Sequence, residues 1–149
     1  MRKRVPRGDA TRPAGSGPPV QPNQEEGVLN LFAIGKYVFA TVLLIFGVLH
    51  LLNADAMSGM VPGFIPGGVF WVYLTGLAHI GYALAIYTGR YAKLASQLMA
   101  LMLAIFALTI HLPNAMAGDM SAPGQVLKDL GLAAGALILG NNYQDGPGL

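Results

Sequence analysis

Three histidines, His50, His79 and His111, and one aspartate, Asp129, fall inside stretches of chain that are otherwise apolar. Imidazole titrates near neutral pH and can donate, accept or ligate. A carboxylate in an apolar span is costly and calls for a reason. His50 and His111 each end an apolar run, and Asp129 lies early in another. If successive runs cross in alternate directions, these three share one level, close to Asn53 and Asn114 just past two run ends. His79 lies about ten residues into its run, which is about 15 Å of helix, so it is expected near mid-depth.

Three chemistries are open to this set. His50 and His111 can be hydrated interfacial groups, with Asp129 bonded to one of them. The imidazoles and carboxylate can pass protons or hold a quinone-like headgroup. His50 and His111 can also be axial haem or metal ligands, if their helices are diagonal neighbours. A three-histidine metal site that includes His79 conflicts with the expected depths. His79 alone can bond a helix carbonyl or the hydroxyl of Thr75 or Thr109, or serve as a buried functional group.

The segment MSGMVPGFIPGG is unusually apolar for a loop. Pro62 and Pro66 stiffen it, and its glycines allow tight turns. With Phe64 between the prolines, it can anchor at an interface or close over the mouth of the helices as a lid. Met57, Met60, Met116 and Met120 suit copper(I), or simply pliable packing.

Other chemistries are excluded or unsupported. Without cysteine there is no disulfide, thiolate catalysis or cysteine-ligated metal. The chain has no phosphate-binding glycine loop, HExxH helix, nucleophile elbow or paired carboxylates. It has no charged rings or filter sequence to suggest a pore.

The elements that must position these groups are read from hydropathy. Apolar residues make up 54% and charged residues 11% of the chain, against about 25% charged in soluble proteins. Four apolar runs, about 29–52, 68–87, 92–112 and 122–140, are each near the ~20 residues needed to cross a bilayer as a helix. The expectation is an all-α integral membrane four-helix bundle, up-down-up-down, over residues 29–140. A soluble helical core is the competing reading, but the runs are apolar around most of their circumference. The fourth run is the weakest because Lys128 and Asp129 interrupt it. Gly131 with Gly135, and Ala100 with Ala104, are spaced for close helix packing.

Residues 1–28 are basic and rich in Pro and Gly, and are expected to be a disordered tail; residues 141–149 form a second short tail. The basic residues of the first tail, with Arg90 and Lys93 in the 88–93 turn, put both chain ends on the cytoplasmic side. This charge reads as a topology signal rather than a nucleic-acid site. Lys128 is expected to reach the outer interface, and Trp71, Tyr73 and Tyr37 suit interfacial positions.

GVLHLLNADAMSGMVPGFIP, VYLTGLAHIGYALAIYTGRYAKLASQLMALMLAIFALTIHLPN and LKDLGLAAGALILG, in that order, resemble the DoxX/DoxX-like family of small bacterial four-helix membrane proteins. The resemblance covers about Leu29 to Gly140. It implies a bacterial inner-membrane protein with a redox association, since the family takes its name from a relative of the membrane subunit of a thiosulfate:quinone oxidoreductase. Many relatives carry an acidic residue after the Thr-Gly of the second helix, where this chain has His79. The matched positions include His50, Pro62, Pro66, Gly76, His111, Pro113 and Asp129, for which the family offers no catalytic assignment.

The leading expectation is a membrane component of a redox system, binding quinone near the outer face through His50, His111 and Asp129, with a membrane or periplasmic redox partner. A non-catalytic scaffold or assembly factor is the alternative. A small-molecule carrier is a third, which four helices would support through homo-oligomerisation.

Overall fold

The computed structural model describes residues 23–144, which are helical apart from short connections. In chain order they form α1 (Asn23–Leu52), α2 (Ala54–Met57), a 3₁₀ turn (Ser58–Met60), α3 (Gly68–Thr88), α4 (Ala92–Phe106), a π-helical turn (Ala107–His111), α5 (Leu112–Met116) and α6 (Ala122–Gly140). Residues 1–22 and 145–149 lie outside the described residues, and with them most of the expected basic tail.

Two limits differ from the hydropathy reading. α1 begins at Asn23 rather than near Leu29. Helical hydrogen bonding continues through polar residues, so helix length and apolar length separate; the apolar stretch itself begins at Ala33. The third run extends past Leu112 to Met116, because α4, the π turn and α5 form one continuous 25-residue span. α3 and α6 match the expected limits within a residue.

Three helical stretches are long and apolar enough to cross a membrane: Ala33–Leu52, Gly68–Thr88 and Ala92–Met116. α6, with 19 residues and an internal Lys128–Asp129 pair, is not among them.

The long helices pack as two tight antiparallel pairs, α1 on α3 and α4 on α6, joined along α3 and α4. In the first pair Gly47 meets Gly76, and one to two turns nearer the start of α1 Thr41 meets Tyr87, late in α3. In the second, Ser96 near the start of α4 meets Gly140 at the end of α6, while His111 meets Asp129 near its beginning. α1 and α6 approach mainly through the side chains of Phe39 and Phe46. One end of the assembly therefore carries the α3–α4 turn, and the other carries the loops after α1 and α5.

Small residues hold this arrangement together. Ala40, Ala83, Ala92, Ala107 and Ala136 have no exposed surface, while Leu31, Leu52, Ile138 and Leu127 are each at least 70% exposed. The closest backbone approach is between Gly47 and Gly76: a Cβ on either would stand 2.8–2.9 Å from the other's carbonyl oxygen. The Gly131–Gly135 pair does not pack as a unit. Gly135 abuts Phe39, whereas Gly131 faces open space, because residues four apart drift around the helix and only one need meet a given neighbour.

Candidate functional site

Four of the groups expected to do chemistry, His50, His79, His111 and Asp129, fall into two neighbouring pairs. His50 and His79 stack, with ring centroids 5.3 Å apart and planes inclined by 21°. His79 is therefore not isolated at mid-depth from His50. Helical side chains lean toward their own N-terminus. In an antiparallel pair two such side chains lean toward one another, and His50 and His79 do so from either side of the Gly47–Gly76 crossing. Rise along the helix axis alone overstates their separation.

Both rings are tethered in the same way. Nδ1 of His50 lies 2.7 Å from the Phe46 carbonyl oxygen, and Nδ1 of His79 lies 2.9 Å from that of Thr75. A carbonyl can only accept, so each Nδ1 carries the hydrogen. Each Nε2 then presents a lone pair when the ring is neutral and a donor when it is protonated. His79 is buried and its partner is the Thr75 backbone, not a hydroxyl; the Thr109 hydroxyl bonds to Ile105 instead. The Phe46 ring lies beside His79 at 6.4 Å.

His111 and Asp129 form the second half of the cluster. His111 Nε2 stands 3.3 Å from Asp129 Oδ2, and Lys128 Nζ stands 3.2 Å from Asp129 Oδ1. The Asp129 side chain is 3% exposed. Its Oδ2 makes no well-formed hydrogen bond despite the nearby imidazole, leaving a buried acceptor open.

The π turn sets the direction of His111. Leu112 N–H bonds five residues back to the Ala107 carbonyl. Pro113, which follows, has no N–H to offer and its ring would crowd the carbonyl four residues earlier. Widening the turn relieves that conflict and adds a residue, offsetting the helical phase by about 100°. In this turn His111 meets α6.

Lys128 has a second partner. Its ammonium lies 5.0 Å over the centre of the Phe46 ring on α1, an attractive placement for a cation over an aromatic face. It thus bridges α1 and α6 as well as pairing with Asp129, with its side chain 37% exposed. Lys128 and Phe46 belong to the site; Lys128 stands out in sequence only as a charge within an apolar run, and Phe46 does not stand out at all. The i+1 adjacency of Lys128 and Asp129 gave no reason to expect Lys128 to share the Asp129 carboxylate with His111, and Phe46 reads as ordinary core.

The other candidates lie outside the cluster. Asn114 is exposed, and its backbone carbonyl accepts from Asp119 N–H. Phe64 is 83% exposed, and the loop carrying Pro62 and Pro66 sits at the start of α3, where Trp71 Nε1 donates to the Pro66 carbonyl. Met116 and Met120 are 82% and 93% exposed, which leaves their thioethers no enclosing partners. His50 is engaged with His79 and His111 with Asp129, so the two do not form an opposed pair across a haem. Among the described residues no group of three or more His, Asp or Glu side chains is arranged to hold a metal ion.

No curated protein and no solved structure matches the chain. One family model does match, over residues 39–136, which takes in the whole cluster from Phe46 to Asp129. The chain belongs to the family described as Domain of unknown function (DUF8561).

Proposed function

We propose that this protein is a membrane-embedded, proton-handling component of a redox system that holds a quinone-type headgroup at the loop end of its helices. The observation that carries this reading is the open acceptor Asp129 Oδ2, buried beside His111 Nε2 and one helix away from the stacked His50 and His79. A quinone carbonyl needs a donor, and a quinol hydroxyl needs an acceptor. The imidazole Nε2 atoms supply either according to protonation, and Asp129 Oδ2 supplies an acceptor. Lys128 Nζ pairs with the other carboxylate oxygen at 3.2 Å.

The membrane setting rests on the distribution of side chains. Alanine makes up much of the core, His79 and Asp129 are buried, and many Leu, Ile and Val side chains are exposed on the outside, a distribution that water disfavours and lipid contact suits. On this reading α6 is the fourth crossing helix, its two charges paired inside the protein. The basic Arg90 and Lys93 support a topology with the turn end and both chain ends on the cytoplasmic side and the His–Asp cluster at the outer side of a cytoplasmic membrane. The exposed Phe64 loop serves there as an interfacial anchor. The resemblance to DoxX-like proteins supports the redox setting; the matching family, by its description, carries no assigned activity.

The test is purification in mild detergent, lipid extraction and quinone quantification, with an absorbance spectrum of the intact protein. Quinone in stoichiometric amount, lost in His111→Ala and Asp129→Asn, is the expected result. Retention unchanged in both variants removes the site assignment. A Soret band would point to haem instead, and absence of both ligands to a non-catalytic scaffold.

A further inference from the structure

A second polar cluster lies at the turn end, apart from the histidines. Tyr82 of α3 is 2% exposed, and Ser96 of α4 is fully buried. Tyr143, just beyond α6, packs against the same core. The phenol oxygens of Tyr82 and Tyr143 are both buried and both lack a hydrogen-bond partner. The Ser96 hydroxyl donates to the Ala92 carbonyl at 2.7 Å, so its oxygen can act only as an acceptor toward other groups. The Tyr82 hydroxyl interacts with the Ser96 side chain and lies within electrostatic reach of Tyr143, yet neither phenol oxygen has a well-formed hydrogen bond.

Two further contacts converge there. Gly140 lies so close to Ser96 that a Cβ on it would stand 2.5 Å from Ser96 Cβ. Tyr143 N–H bonds to the Gly140 carbonyl at 3.1 Å, which folds the segment after α6 back beside Ser96. The absence of a side chain at Gly140 thus lets the end of α6 lie directly against Ser96.

A buried hydroxyl without a partner is destabilising, and such groups in folded proteins are met by protein or by ordered water. Two orphaned donors and one half-used acceptor in a single cluster match the valence of a water molecule: it accepts from both phenols and donates to Ser96 Oγ. Three such bonds are what buried waters usually make. We propose that Tyr82, Tyr143 and Ser96 bind one ordered water, which ties the segment after α6 to α3 and α4. This site is independent of the quinone reading. It lies three residues beyond His79 on the same buried face of α3.

The sign of a stability change tests it. If the site is dry, Tyr82→Phe and Tyr143→Phe each remove an unsatisfied hydroxyl, and Tm should hold or rise. If water is bound, each variant strips a partner from it, and Tm in detergent should fall, with the double variant falling by less than the sum of the two. Water-edited proton NMR on the full chain supplies a second measure. Transfer from a long-lived water to the Tyr82 ring is expected, and should weaken in Tyr143→Phe, which leaves Tyr82 in place. Raised or unchanged Tm in both Phe variants, or no transfer to Tyr82 in the intact protein, overturns the proposal.

Discussion

Gly47 on α1 and Gly76 on α3 are in mutual backbone contact, each Cα lying where a methyl group would strike the other's carbonyl oxygen. The contact has a consequence three residues along each helix. An added Cβ at Gly47 would also come within 3.1 Å of His79 Cβ, and one at Gly76 within 3.1 Å of His50 Cβ. The distance between the helices therefore sets the stacking of the two imidazoles.

Gly47→Ala and Gly76→Ala should each destabilise the protein by about 1–3 kcal/mol, the usual cost of overpacking a tight contact against backbone. Gly131→Ala is the matched control. Nothing lies within 4 Å of its added methyl, and loss of a mid-helix glycine should stabilise by about 0.5–1 kcal/mol. Thermal unfolding in one detergent reads all three. Equal effects at the three positions would refute the close crossing.

Asp129→Ala leaves Lys128 and His111 without their shared carboxylate. A cost of about 1–3 kcal/mol is expected for stranding partly buried polar partners. Asp129→Asn keeps an oxygen for Lys128 and should cost less. Unfolding midpoints for the two variants give the comparison, and identical values would mean that the carboxylate contacts carry no weight.

Asp119 lies in the connection before α6, where its Oδ1 accepts from Ser121 N–H and Ser121 Oγ–H, both at 2.8 Å. The Ser121 backbone bond, followed by the hydroxyl bond, holds this carboxyl below its ordinary value of 3.8. A carboxyl depressed in the folded state contributes fully above its unfolded value and loses that contribution as pH falls through the folded one. The fastening of the α6 start should thus persist above about pH 4 and weaken in stronger acid. A carbon-13 titration of the Asp119 carboxyl should show a midpoint below 3.8 that returns toward the ordinary value in Ser121→Ala. A midpoint unmoved by that substitution would remove the Ser121 hydroxyl as a cause and leave the backbone N–H, which alanine retains.

Trp71 is the sole tryptophan in the chain, and it is 41% exposed beside the Phe64 loop. Its fluorescence therefore reports one location. In bilayers, quenching by lipids brominated near the headgroup should exceed quenching by lipids brominated near the chain end, as interfacial placement requires. Phe64→Ser should leave unfolding in micelles within about 0.5 kcal/mol, since the side chain is exposed, yet shift the quenching profile toward water. Strongest quenching at mid-bilayer would place the loop elsewhere.

Much of this was legible along the chain. Residue counts in the apolar runs found α3 and α6 to within a residue, because hydropathy and helix-ending glycines such as Gly89 act locally. Alternation of direction was enough to anticipate that His111 and Asp129 share a level, and they pair at 3.3 Å. The exposed Asn114 shows the limit of that reasoning, since sharing a level says nothing of which way a side chain faces.

What the sequence by itself determined was the long helices, their apolar character and the shared level of His111 and Asp129, since these follow from composition counted over one strand of chain. Only the tertiary structure decided which groups touch. The Gly47–Gly76 crossing brought His79 to His50, the widened turn before Pro113 brought His111 to α6, and α6 met α1 with Lys128 over the Phe46 ring. Each depends on the rotation of a helix about its own axis and on the neighbour it meets. In helices apolar on nearly every side, no stripe in the sequence marks which face turns inward, so the choice falls to close packing of small residues between helices distant in the chain.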